Sequence, residues 1–186
     1  MTPVLHILLL NLAVCLAGEL ELVILHTNDV HSRVEEFSSS GGTCSEQASR
    51  EGSCYGGVAR RKTVIDEIRS QYPNVLLLDA GDQFQGTPWF YYYGGMEASY
   101  FMNLLGYDAM ALGQHEFDYG VEGVQRFLLN ATFPVVCCNV DSSNENETVI
   151  RDLYSPYVVL DVGGEKVGIV GYDHHDTARL VDPGGI

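Results

Sequence analysis

Three short apolar runs end in the same way, and this repetition constrains the chain more than any other feature. Leu22–Leu25 leads to Asn28-Asp29-Val30-His31, and Val75–Leu78 leads to Asp79-Ala80-Gly81-Asp82. Ala109–Leu112 leads to Gly113-Gln114-His115-Glu116-Phe117-Asp118. Short apolar runs bounded by polar turns read as buried strands. Helical patterns separate or follow them: Gly57–Ser70, Met96–Leu105 and Val121–Leu129. Strand–helix alternation predicts βαβ units and a largely parallel sheet, so the fold class is α/β. Open sheets of that kind build their sites beyond the carboxyl ends of the strands, where all three runs place Asp or His.

The remaining pattern fills in around this frame. The first strand is expected within Glu19–His26, and a fourth is expected over Phe133–Val140. Asn28–Tyr55 reads as a loop rich in Ser, Gly and Glu. In the first helix Val58, Val64, Ile65 and Ile68 are predicted to share the inward face, with Arg60, Arg61, Lys62 and Glu67 mostly outside. Tyr72-Pro73 stops that helix, and Gly106 suits a left-handed cap after Met96–Leu105. Val124, Phe127 and Leu128 should face inward from Val121–Leu129. The aromatic run Trp89–Tyr93 is expected in the core or at an edge, with a substrate cleft as the alternative. Tyr157–Val162 and Lys166–Val170 flank Gly163-Gly164 and read as a hairpin. Asp173–Ile186 has no clear period.

Val4–Ala17 is mostly apolar and uncharged, and Cys15-Leu16-Ala17 offers small residues where a signal peptidase reads. Residues 1–18 are therefore expected to be a secretory signal, placing the mature chain in an oxidising compartment. Of the five cysteines, Cys44 and Cys54 flank a segment without apolar periodicity, where a bridge would close a loop. Cys137 and Cys138 are neighbours in a strand pattern, should point to opposite faces, and are read as buried free thiols. Asn130-Ala131-Thr132 and Asn146-Glu147-Thr148 make Asn130 and Asn146 candidate glycosylation sites. No stretch after the signal is long and apolar enough for a transmembrane segment. A cell-surface lipid anchor is expected only in a longer form. The formal net charge of −15 repels phosphate backbones and argues against nucleic acid as a partner. A small anionic substrate stays open, because bound cations reverse the local field.

Asp29 and His31, spaced i and i+2, can lie on one side of a strand end and grip one ion. Asp82 carries two oxygens and can bridge two cations. Gln114 offers an amide oxygen and His115 an imidazole. Such a mixed donor set suits zinc, manganese or a similar ion rather than an all-oxygen calcium cage. His115 could donate hydrogen bonds to a phosphate or leaving oxygen, with Asp118 holding its tautomer.

Four blocks then occur in order: His26-Thr27-Asn28-Asp29-Val30-His31-Ser32-Arg33, Gly56-Gly57-Val58-Ala59-Arg60-Arg61, Leu78-Asp79-Ala80-Gly81-Asp82-Gln83-Phe84-Gln85-Gly86-Thr87 and Gly113-Gln114-His115-Glu116-Phe117-Asp118-Tyr119-Gly120. From about Leu20 to Tyr172 the chain resembles the ecto-5′-nucleotidase/apyrase family, a branch of the calcineurin-like metallophosphoesterases. The resemblance implies a four-layer α/β/β/α sandwich, incomplete at the C-terminus, with residues 19–172 as the N-terminal part of that domain and 173–186 as a divergent tail. It implies two divalent ions, zinc first, with manganese or calcium as alternatives. Asp29 and His31 match ligands of the first metal, Asp82 the bridging ligand, and His115 and Asp118 the catalytic dyad. Gln114 stands where the family pattern has an Asn ligand of the second metal, and its extra methylene alters the reach of the amide oxygen. The family's remaining metal histidines and its C-terminal nucleotide-binding domain are expected beyond residue 186. His174-His175 lacks the surroundings of those histidine motifs.

The implied function is a secreted phosphohydrolase of extracellular nucleotides of the AMP, ADP or ATP class, a phosphoric ester hydrolase. The alternative is a truncated, catalytically impaired secreted glycoprotein that keeps only weak metal or nucleotide binding. Gln114 and the missing ligands motivate that alternative.

Overall fold

The computed structural model describes residues 19–143 and 149–181. The expected signal and Asn146 lie outside the described residues. In chain order the elements are β1 (Val23–Thr27), β2 (Phe37–Ser38), α1 (Glu46–Arg50), β3 (Cys54–Tyr55), α2 (Val58–Gln71) and β4 (Val75–Asp79). There follow α3 (Pro88–Tyr93), α4 (Met96–Leu105), β5 (Ala109–Ala111), a 3-10 turn (Gln114–Phe117) and α5 (Gly120–Asn130). The last are β6 (Val135–Val136), β7 (Tyr157–Val162), β8 (Glu165–Val170) and α6 (Thr177–Leu180).

A parallel sheet in the order β1-β4-β5-β6 carries the domain. Its register sets Thr27 beside Asp79 and Asp79 beside Met110, so three strands end level and their following loops become neighbours. α4 packs against both α2 and α5. Leu77, Phe84, Met102, Met110, Phe117, Val124 and Phe127 form the core between sheet and helices. Arg69 of α2 ties the layers together. It donates to Leu105 O and Gly106 O at the end of α4 and pairs with Asp108, whose carboxylate accepts the Leu77 N–H of β4. Gly106 takes the expected left-handed cap at φ 75°. β7 and β8 pair as a separate antiparallel sheet around Gly163-Gly164. A second two-stranded antiparallel sheet joins β2 and β3.

Several expectations are corrected. β1 lies at the edge of the sheet, so its apolar run is not buried on both faces and Ile24 is 55% exposed. Val64 is 54% exposed. A step of 100° per residue takes it off the face that buries Val58 and Ile65, and Arg61 turns inward instead. The fourth strand shrinks to Val135–Val136. Beyond it Cys137 N–H bonds Ser155 O and Cys138 N–H bonds Gly171 O, and the ladder to β5 ends at Val136. Cys137 is buried and Cys138 is exposed, and neither is bonded. The segment Asn28–Tyr55 is not all loop. It contains the β2–β3 hairpin and α1, and Cys44–Cys54 is a disulfide with Cα atoms 5.9 Å apart. The aromatic run is a short helix in which Phe90 is buried while Tyr91, Tyr92 and Tyr93 are exposed. Trp89 lines a hollow of about 330 Å³ beside Ser32, Arg33 and Gly86.

Candidate metal centre and active site

The loops after β1, β4 and β5 meet at the carboxyl edge of the sheet. Backbone bonds lace the first two together: Asp29 N–H to Gly81 O (3.0 Å), His31 N–H to Asp82 O (3.1 Å) and Ser32 N–H to Gln83 O (2.8 Å). The second and third loops touch through two glycines. A β-carbon on Gly81, where φ is +97°, would stand 2.6 Å from Gly113 N, and one on Gly113 would stand 2.5 Å from Asp82 Oδ1. Only glycine lets these loops approach so closely. Asp29, His31, Ser32 and Asp82 all have φ between 51° and 58°, left-handed values that non-glycine residues rarely adopt. Such strain persists only where surrounding bonds over-determine the backbone, and it gathers at functional sites.

This backbone converges the expected side chains. Ligand atoms of His31, Asp82 and His115 lie within 4.8 Å of one another. The His31 and His115 rings meet edge to face at 5.2 Å. His31 Nδ1 stands 3.0 Å from the Phe84 carbonyl. That acceptor fixes the proton on Nδ1 and leaves the Nε2 lone pair free, as in metal-binding histidines. Asp29 Oδ1 lies 3.6 Å from His31 Nε2. Two ligands about 2.0–2.1 Å from one tetrahedral ion stand roughly 3.4 Å apart, so the pair fits a shared cation. Carboxylate and imidazole donors with these tautomers fit a borderline divalent ion.

His115 and Asp118 are joined, Nδ1 to Oδ2, at 3.0 Å. The same reasoning puts the His115 proton on Nδ1 and leaves Nε2 facing the site. Gln114 presents its side-chain amide nitrogen 3.3 Å from His115 Nε2. The His115 backbone N–H donates to Asp82 Oδ1 (2.9 Å), fixing one oxygen of that carboxylate. The group His174, His175 and Asp176 is separate from this cluster.

Three buried polar groups beneath the cluster have no counterpart in the sequence reading. Glu116 is fully buried and accepts four backbone N–H groups. Its Oε2 takes those of Asp82 and Gly113, and its Oε1 takes those of Gln83 and Phe84. One side chain thus holds the second and third loops together. Burial, reinforced by the negative charge of Asp82, pushes its carboxyl up to about 8. Asp79 accepts from Thr27 Oγ1, Gln83 Nε2 and Gly81 N, and burial raises it to about 7. Glu97, on the first turn of α4, accepts from Ser32 Oγ at 2.8 Å. Glu116 and Asp79 are acidic residues within the strand-end motifs, and that was the available signal. Nothing in the pattern marks Glu97.

A parallel sheet whose strand ends gather Asp and His ligand atoms within 4.8 Å of one another defines a candidate metal centre. The chain belongs to the calcineurin-like phosphoesterase family, whose model matches residues 22–183. Within it, the chain is similar to 5′-nucleotidases. It is 54% identical to that of Rattus norvegicus over 165 residues, which are 88% of this chain and 28% of that protein. It is 54% identical to that of Homo sapiens over 169 residues, 90% of this chain and 29% of that protein. The solved structure of a 5′-nucleotidase precursor from Thermus thermophilus superposes with a TM-score of 0.76 at 44% identity, covering 88% of this chain and 30% of that one. The chain spans less than a third of the length of these relatives.

Proposed function

We propose that the chain forms the N-terminal part, residues 19–172, of a secreted metal-dependent nucleotide phosphohydrolase of the 5′-nucleotidase/apyrase type. The observation that carries this reading is the convergence of Asp29, His31, Asp82 and His115 at three level strand ends. Asp29 and His31 would hold one divalent ion, zinc first by donor type, and Asp82 and the Gln114 amide oxygen would serve a second. Such ions supply an activated water and offset charge on a phosphoryl group in flight. The protein's own part is orientation and proton placement. Asp118 holds the His115 ring so that Nε2 faces the phosphoryl oxygen or the leaving oxygen. With Nδ1–H held by Asp118, Nε2 donates a hydrogen bond there only as an imidazolium, whose charge Asp118 offsets. The Cys44–Cys54 disulfide supports an oxidising compartment. Asn130, exposed at the end of α5, is accessible to glycosylation, and Asn146 shares that assignment on its sequon alone.

The test is release of inorganic phosphate from AMP, ADP and UDP-sugars, with added zinc, manganese or calcium, by the longest polypeptide that contains residues 19–181. Release that falls about 10²-fold or more in Asp118→Asn and His115→Asn is expected. No release from any nucleotide refutes the reading.

A second reading is favoured by one contact. The Gln114 amide nitrogen stands 3.3 Å from His115 Nε2, on the side that would meet substrate, so a truncated, catalytically impaired secreted glycoprotein that keeps only weak metal or nucleotide binding is the alternative. Isothermal titration separates the two, because two tightly bound ions per chain count against it.

A further inference from the structure

Two charged atoms in the interior have no partner. Arg61 Nη1 and Glu97 Oε2 are enclosed, and neither makes a hydrogen bond among the described residues. Both side chains line the same cavity, of about 10 Å³, between α2, α4 and the loop after β1. A polar atom of a charged group that is buried without a partner is unfavourable unless something bonds it. A cavity of about 10–15 Å³ takes one water molecule when polar groups face it.

We propose that a single buried water bridges Arg61 Nη1 and Glu97 Oε2, and that this bridged pair positions His31 in the metal centre. Arg61 donates to the water, and the water donates to Glu97. The other carboxylate oxygen, Glu97 Oε1, accepts from Ser32 Oγ at 2.8 Å. Ser32 is then held at every polar atom. Its N–H donates to Gln83 O, and its carbonyl accepts from Thr87 Oγ1 at 2.8 Å. Ser32 and His31 both sit at φ 51°, so the backbone must be clamped against relaxing. Release of Ser32 lets His31 leave the left-handed region and carries its Nε2 away from Asp29 and Asp82. Glu97 is fixed in turn by Arg61 through the water. Arg61 also acts on Asp79 and Tyr107, linking the pair to the buried polar groups under β4.

The inference rests on the reading of Asp29, His31 and Asp82 as metal ligands. It is tested by titrating cobalt(II) into the metal-stripped chain and recording absorption of the bound ion. Wild type is compared with Ser32→Ala, Glu97→Gln and Glu97→Ala. Glu97→Ala and Ser32→Ala are expected to weaken cobalt binding about tenfold or more and to alter the spectrum. Glu97→Gln keeps an acceptor for Ser32 and is expected to stay within about threefold of wild type. A high-resolution structure is expected to show one water between Arg61 and Glu97. Unchanged affinity and spectrum in Ser32→Ala, whose small deletion spares the fold, overturn the positioning role while leaving the metal reading intact. A cavity without a water overturns the bridge. If wild type binds no cobalt, the metal reading fails and the positioning role falls with it.

Discussion

Replacing Glu116 by Gln isolates what the buried carboxyl contributes, because the side chain keeps its shape. Each Glu116 oxygen accepts two backbone N–H groups, at 3.0 and 2.7 Å on one side and 2.8 and 3.3 Å on the other. Even when protonated, the acid keeps lone pairs on both oxygens. The amide nitrogen has none, so whichever side it faces, two buried N–H donors lose their acceptor. An unsatisfied buried donor costs about 1–3 kcal/mol, so the substitution costs roughly 2–6 kcal/mol. The amide nitrogen settles where the bonds are weaker, against Gln83 and Phe84, which favours the lower half of that range. Such a loss is a large share of a stability of about 5–15 kcal/mol. Urea denaturation of wild type and Glu116→Gln at neutral pH, followed by circular dichroism, measures it. A difference below about 0.5 kcal/mol, the level of a surface substitution, would refute the assignment of Glu116 as the clasp between the loops after β4 and β5.

Two further outcomes follow from the same geometry. Asp79 and Glu116 are raised to about 7 and about 8 by burial. Their stabilising effect is full below an ordinary carboxylate pKa of about 4 and is lost as pH rises through the folded values, at up to about 1.4 kcal/mol per pH unit for each group. The metal-stripped chain should therefore lose stability between pH 5 and 8, and a flat profile in thermal denaturation would contradict this. The Cys44–Cys54 bridge spans 10 positions, so the Cys44→Ser/Cys54→Ser double variant should lose about 2–3 kcal/mol in urea denaturation. An unchanged midpoint would show that the β2–β3 hairpin holds without it.

Legibility in the sequence followed periodicity. α4 and α5 announce themselves by apolar spacing, and α4 ends at the glycine that its cap requires. β4 and β5 stand out as short apolar runs between polar turns, so the delivery of Asp29, His31, Asp82, His115 and Asp118 to strand ends was legible, while the register that levels those ends was not. What escaped are single buried polar residues and edge effects. Arg61 looked like one of several exposed charges on α2. Its tip instead lines the small cavity between α2 and α4. Glu97 carries no pattern of its own, since an acidic residue in a first helical turn is normally a solvated partner of the helix dipole. Ile24 belongs to a run that suits a central strand, and its exposure depends on which strand ends the sheet. β6 ends at Val136, and the next backbone N–H groups bond Ser155 and Gly171, which are remote in sequence.

The most direct test of the metal centre is isothermal titration of zinc and of manganese into the chelator-treated chain. Asp29→Asn and Asp82→Asn serve as variants, and a His174→Ala/His175→Ala double variant serves as control. Saturable binding by wild type and by the control, reduced about tenfold or more in the two Asp variants, is the expected result. Binding that survives both Asp substitutions, or that disappears with His174 and His175, would contradict a metal centre at the ends of β1 and β4.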